Sequence, residues 1–320
     1  MKGGLGFSKS VAELLALALV LEASGYPKPG NVHRTSDKAG LRYEAFLATS
    51  IFAVKYFERG VKRGQRGFKR LVLGDLVYGL VNEAMEKLNS TNTCLGTALL
   101  LSLMSVSLGV HSTRGSLDVE ELGSVSKEVL NNTTTWDTIY YYRAIRKAAP
   151  SYIKPSDETG PYVNVWDPMY AARILEKGHR LVEVLKYSAR FDIVAREALS
   201  GFQQGFLAER FMRERVSIHG DLNRAIVETY LYLLSNNIDT IVYLKHGPNV
   251  AKEVSESASR ILRKLLSLGK DWREVALKLD REFSSRGINP GAVADLTAET
   301  IALYMLRNFA KGSLILDLSR

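Results

Sequence analysis

The chain has 320 residues, 46% of them hydrophobic, a formal net charge of +9 and a single cysteine. That length can bury a large core, so one domain over residues 1–320 is expected. The lone Cys94 excludes an internal disulfide and any multi-cysteine zinc site, which leaves the cytoplasm as the expected compartment.

Apolar residues recur at three-to-four spacing almost throughout, as at Val11, Leu14, Leu15, Ala18 and Leu21, and alternation over strand length is hard to find. The expectation is an all-α fold, a single-domain globular bundle of about twelve helices. They are read over 8–24, 42–63, 70–88, 94–109, 117–130, 136–148, 167–187, 190–213, 217–236, 248–268, 271–285 and 291–310. The first has an apolar centre like a secretory signal, but Glu13 and Glu22 interrupt it at helical spacing, and an amphipathic helix is expected.

PKPGNVHR (27–34) follows. Its two prolines stiffen the backbone, Gly30 permits close approach or positive φ, and Lys28, His33 and Arg34 supply cationic donors. The loop suits a phosphate clamp, or else a proline-terminated helix end whose basic residues face water. Lys and Arg are concentrated over 55–70, which fits a polyanionic partner or a solvated helix end. No aromatic-interleaved strand or nucleic-acid module accompanies them, which argues against nucleic acid.

The uncharged run Leu88–Val110 has the length of a membrane span but holds Asn89, Ser90, Thr91, Asn92, Thr93 and three further serines, so a buried core helix is expected and no membrane partner. At its start, NSTNTCLG (89–96) can cap the helix through Asn92 or Thr93 and leave backbone N–H groups free for an anion. Cys94 has no neighbouring base in sequence and is not expected to be a nucleophile. Residues 147–168 carry four of the eight prolines and read as a linker or a loop crossing the site.

In the segment 217–247 a helix capped near Gly220 or Asp221 ends in Asn236, Asn237 and Asp239, then Thr240, Lys245, His246 and Gly247. Asp239 with Thr240 suits a metal or a sugar hydroxyl, or simply a helix stop. GINPGAVADL (287–296) opens the last helix, with Asn289 as cap, Pro290 at the first turn and Gly291 after it. Asp295 and Glu299 then share one helix face, as a magnesium or general-base site or as a surface acidic pair.

Taken together, Pro27–Arg34, Asn92–Gly96, Asn237–Thr240 and Asn289–Leu296 resemble, in order, four elements of the triphosphoribosyl-dephospho-CoA synthase family, which makes the precursor of the citrate lyase prosthetic group. Departures mark a divergent branch. Cys94 and Leu95 stand where the family has His-Lys, His33 replaces an acid, and Gly40-Leu41-Arg42 stands where a histidine segment would fall.

The resemblance implies ATP and 3'-dephospho-CoA as partners, release of adenine, and transfer of triphosphoribose to a ribose hydroxyl, with Mg2+ accompanying ATP. It assigns triphosphate binding to Lys28 and Arg34, and the ribosyl cation or a metal shell to Asp239 and Asp295. His33 joins these two acids as a catalytic candidate. Gly30, Asn92, Thr93, Gly96, Asn237 and Gly291 complete the nucleotide-binding set. A ribosyl hydrolase or phosphotransferase on the same scaffold, or a basic nucleic-acid-binding protein, are the alternatives, and a homo-oligomer stays open.

Overall fold

The structure, a computed structural model, describes residues 6–267, 271–313, 315 and 316. Among them are fifteen helices: α1 (Phe7–Ser24), α2 (Tyr43–Arg66), α3 (Gly74–Leu88), α4 (Leu95–Ser112), α5 (Leu122–Asn131), α6 (Thr135–Ala148), α7 (Tyr170–Lys177) and α8 (Leu181–Ser188), followed by α9 (Ile193–Ser200), α10 (Gln203–His219), α11 (Leu222–Asn236), α12 (Thr240–His246), α13 (Pro248–Ser267), α14 (Trp272–Ser285) and α15 (Gly291–Ala310). The only extended pairings among the described residues are two isolated antiparallel bridges, His33 with Ser36 and Lys38 with Leu41.

Two helices organise the body. The first, α4, packs against α1, α2, α3, α5, α9 and α15, while α15 packs against α1, α9, α10, α11 and α12. Among the described residues α4 alone is long and apolar enough to cross a membrane, yet 89% of that stretch is buried in protein. Two of its buried serines, Ser105 and Ser107, donate to carbonyls of their own helix, while the Ser102 hydroxyl is buried without a partner among the described residues.

The helix count exceeds the sequence expectation because short breaks were read through. Gly178 (φ 71°) and Gly201 (φ 73°) end α7 and α9 in the left-handed region, splitting the expected helices 167–187 and 190–213 in two. Gly220 ends α10 at His219, and Asp221 accepts from the Arg224 amide at 3.0 Å, so α11 starts at Leu222 rather than 217. The 70–88 helix starts at Gly74, because the single oxygen Oδ1 of Asp137 gathers the amides of Val72, Leu73 and Gly74 at 2.8–2.9 Å. The helix expected from 117 starts at Leu122. Residue 268, the expected end of another helix, lies outside the described residues.

The basic run is partly committed. Arg63 grips Asp75 with two bonds of 2.6 and 2.8 Å, Lys62 pairs with Glu58 at 2.6 Å, and Arg70 lies 3.5 Å over the Trp136 ring. These contacts commit part of the run, while Arg66 and Lys69 make no ion pair among the described residues.

Candidate active site

A cavity of about 640 Å³ opens between the helix junctions. One wall is the turn into α4, where Asn92, Thr93, Cys94 and Gly96 line it; another is the turn into α15, with Asn289, Gly291 and Asp295. The proline-rich loop between α6 and α7 supplies Tyr152, Lys154, Asp157, Glu158 and Tyr162. That segment is therefore a loop crossing the cavity rather than a linker. Asp192 at the start of α9 and Glu22 on α1 complete the acidic lining.

The α4 junction is capped as residue type dictates. Asn92 Oδ1 accepts from the amides of Cys94 (3.1 Å) and Leu95 (2.9 Å), while Thr93 Oγ1 meets Thr49 Oγ1 at 2.9 Å. The next amide, Thr97 N–H, donates to Asp295 Oδ1 at 3.0 Å. Thus the helix N-terminus expected to receive a ligand anion already holds the protein's own carboxyl group. Gly96 makes this possible, since a methyl group there would overlap Asp295 Oδ2. We expect Gly96→Ala to displace the Asp295 carboxyl from the Thr97 amide and to cost at least about tenfold in turnover through misplacement alone. Unfolding midpoints and steady-state rates measured together check this; full activity in a folded variant contradicts it.

Burial raises the Asp295 pKa well above the usual carboxylate range, and the charges of Glu22, Asp239 and Asp192 push it the same way against the Thr97 hydrogen bond. Burial also pushes the Cys94 thiol up to about 12, which makes it an inert wall residue.

The remaining expected site residues stand behind or beside this cavity, and their roles are corrected accordingly. Lys28 is fully buried, its amine paired with the Glu22 carboxylate and donating to the Glu22 carbonyl at 2.8 Å, so it is an internal counter-ion rather than a triphosphate ligand. Burial lowers the Lys28 pKa and raises that of Glu22, and their mutual attraction opposes both shifts. Arg34 lies on the outer face of the loop, donating to Ser24 O (2.8 Å) and Asn223 Oδ1 (3.0 Å). His33 is 1% exposed, with Nε2 3.3 Å from Asp280 Oδ2 and its ring edge-on to Tyr26. It secures the loop and does not reach the cavity.

Gly30 serves the same anchoring. Its φ is 76°, its amide donates to Asp280 Oδ1 at 2.9 Å, and a side chain would meet the Ile288 carbonyl. Asn237 donates to Leu233 O at 2.9 Å, finishing α11.

Asp239 is a double cap. Oδ1 accepts from Ile241 and Val242 at 2.9 Å each, starting α12, and Oδ2 accepts from Val293 at 2.8 Å in α15. Both oxygens are committed to backbone amides, which removes Asp239 from a metal shell. Burial still lifts its pKa to about 6 against those hydrogen bonds. Glu299 faces away from the cavity toward Glu197 and Gly205, and burial followed by the Glu197 charge raises its pKa well above normal. Among the described residues, no three His, Cys, Asp or Glu side chains converge as a metal site.

Glu22, Asn31, Tyr141, Tyr152 and Asp192 are cavity residues that sequence reasoning missed. Asp192 had a legible signal, an aspartate just before the apolar pair Ile193-Val194, which it caps by accepting from Val194 N at 3.0 Å. Glu22 had a weaker one, an acid in phase with the apolar face of α1.

Known proteins resemble this chain over most of its length. The model of the family described as ATP:dephospho-CoA triphosphoribosyl transferase matches residues 8–313. A Pectobacterium atrosepticum protein named 2-(5''-triphosphoribosyl)-3'-dephosphocoenzyme-A synthase is 31% identical over 299 residues, covering 92% of this chain and 88% of its own. A Salmonella gallinarum protein named "Probable 2-(5''-triphosphoribosyl)-3'-dephosphocoenzyme-A synthase" is 26% identical over 310 residues, covering 94% and 91%. The same helical fold recurs in a structure titled "Crystal structure of putative triphosphoribosyl-dephospho-coA synthase from Archaeoglobus fulgidus", with a TM-score of 0.61, 24% identity and coverage of 81% of this chain and 97% of that one. With one family model running across nearly the whole helical body, and a relative matched at 31% identity over most of both chains, the protein belongs to the ATP:dephospho-CoA triphosphoribosyl transferase family.

Proposed function

We propose that this protein transfers the triphosphoribosyl group of ATP to a ribose hydroxyl of 3'-dephospho-CoA, or of a closely related nucleotide, with release of adenine. The observation that carries this reading is the convergence of the α4 turn, the α15 turn and the proline-rich loop on one cavity of about 640 Å³, a volume in the range of nucleotide-sized pockets. Its tyrosines offer flat faces for a purine, and its carboxyl groups suit a reaction in which positive charge develops on a ribosyl ring.

Asp295 is the acid in this reading. Its oxygen Oδ1 is fixed by Thr97, and its raised pKa favours the protonated form that can give a proton to the departing adenine. Asn92, braced by two amides, orients the ligand.

Lys154 is the one basic residue lining the cavity among the described residues, against five acidic ones, so the triphosphate needs cationic help. Mg2+ bound with ATP would supply it by neutralising phosphate charge, and such ions need only one or two protein carboxylates. Asp157 and Glu158 on the loop, beside Lys154, are the residues that would hold it. The reaction belongs to the cytoplasm in this reading, where ATP is abundant and the buried thiol of Cys94 stays reduced.

Incubation with Mg2+ and ATP, with and without 3'-dephospho-CoA, followed by chromatography, tests the proposal. Adenine and a triphosphoribosylated acceptor are expected together. ADP as the product would indicate phosphoryl transfer, free triphosphoribose would indicate hydrolysis, and consumption of neither substrate would overturn the reading.

A further inference from the structure

Asp295 accounts for the leaving base but leaves the nucleophile without a partner. An acceptor hydroxyl attacking the anomeric carbon must give up a proton, and a second cavity group has to receive it. Glu22 is spoken for by Lys28, and Asp239 by three backbone amides.

Asp192 differs from both. It lines the cavity from the N-terminus of α9, with Oδ1 accepting from Val194 N at 3.0 Å and standing 3.4 Å from Thr240 Oγ1. Among the described residues, no side chain donates to its other oxygen, Oδ2. The amides of Val194 and Ala195 and the Thr240 hydroxyl hold the carboxyl group from the helix side, and no other side chain bonds to it among the described residues, so it can still meet a ligand from the cavity.

Two phenols share that corner. Tyr141 on α6 is 9% exposed and Tyr152 lies on the proline-rich loop; both line the cavity, and neither hydroxyl has a hydrogen-bond partner among the described residues. Both feel the negative charge of Asp192 and Asp295 in addition to burial, which raises their pKa values and keeps them as O–H donors. Both hydroxyls open onto the cavity rather than being sealed in the core, so each is free to donate to a ligand oxygen.

We propose that Asp192 is the proton acceptor for the attacking ribose hydroxyl, with Tyr141 and Tyr152 donating hydrogen bonds to oxygens of the sugar held between Asp192 and Asp295. The assignment rests on the transferase reading above. In the step, the acceptor O–H proton passes to the Asp192 carboxylate and the oxygen bonds to the anomeric carbon. The carbon–nitrogen bond to adenine breaks, its electron pair stays on the purine, and the purine takes the Asp295 proton. One proton has moved in net from acceptor to adenine, and exchange with solvent returns both carboxyl groups to their starting states.

Asp192→Asn tests this, because asparagine caps a helix about as well as aspartate and α9 keeps its start. The full-length variant is expected to lose about 10²–10⁴-fold in kcat with the KM for ATP within about twofold of wild type. Burial raises the Asp192 pKa, so the wild-type rate should fall as pH drops through a value above the ordinary carboxylate range, and the variant should lack this acid limb. The charged and titratable groups facing Asp192 are Arg196 on its own helix, Tyr141, Tyr152 and Asp295, all retained in the variant. Asp192→Ser, which also caps, serves the same test if the asparagine variant does not fold. A folded variant with kcat within about threefold of wild type, or with the acid limb intact, overturns the role of Asp192 alone. A wild-type protein that releases no adenine overturns the transferase reading and this assignment with it.

Discussion

Replacing Asp295 with asparagine is expected to lower adenine release by about 10²–10⁴-fold, the usual contribution of a general acid, while leaving the unfolding midpoint close to wild type. The asparagine carbonyl can still accept the Thr97 amide that now holds Oδ1, so the junction of α4 with α15 survives. What is lost is the proton. Because burial and the surrounding carboxyl groups lift the Asp295 pKa well above normal, the wild-type rate should decline as pH rises through that value, and the variant should lose this alkaline limb. Adenine quantified across a pH series checks both statements. A folded variant with unchanged rate would remove Asp295 from the chemistry.

The second large effect is on stability. Asp239→Ala strips caps from α12 and α15 together, leaving the amides of Ile241, Val242 and Val293 without their acceptor in a nearly dry interior. Two lost caps at about 1 kcal/mol each, with a further penalty for a desolvated donor, sum to about 3 kcal/mol. Asp239→Asn keeps an acceptor oxygen and should cost about 1 kcal/mol. Urea unfolding of both variants measures the difference. An alanine variant within about 1 kcal/mol of wild type would mean that solvent or other groups satisfy those amides.

These two aspartates illustrate what the sequence could and could not reveal. Both lie in motifs recognisable from residue type, and both were expected to act together at a metal or a sugar. Spacing in sequence cannot report which oxygens backbone amides will occupy, and that occupancy separates the cavity residue Asp295 from the buried cap Asp239. The same limit governs Lys28: a lysine in a proline-glycine loop reads as a surface cation, and only the path of the chain reveals that it folds under α1 to meet Glu22. The all-helical fold was legible because period-3.6 patterning survives tertiary context. The short helices were not, since the single turns at Gly178, between α7 and α8, and at Gly201, between α9 and α10, are averaged away by a longer window. Asp192 was overlooked for that reason, being absorbed into a helix that it actually begins.

The proline-rich loop carries one last implication. Its base is pinned, with Val163 O accepting from the Tyr142 hydroxyl at 2.7 Å, Val165 O from Arg146 at 2.8 Å and Ile153 O from the Trp166 indole at 3.1 Å. The tip around residues 154–158 is exposed and held mainly by local turns. A cofactor-sized acceptor with a long tail can therefore extend past the tip without unpacking any helix. Selectivity would be strict at the sugar, where helix ends fix the lining, and permissive at the far end of the acceptor, beyond the loop.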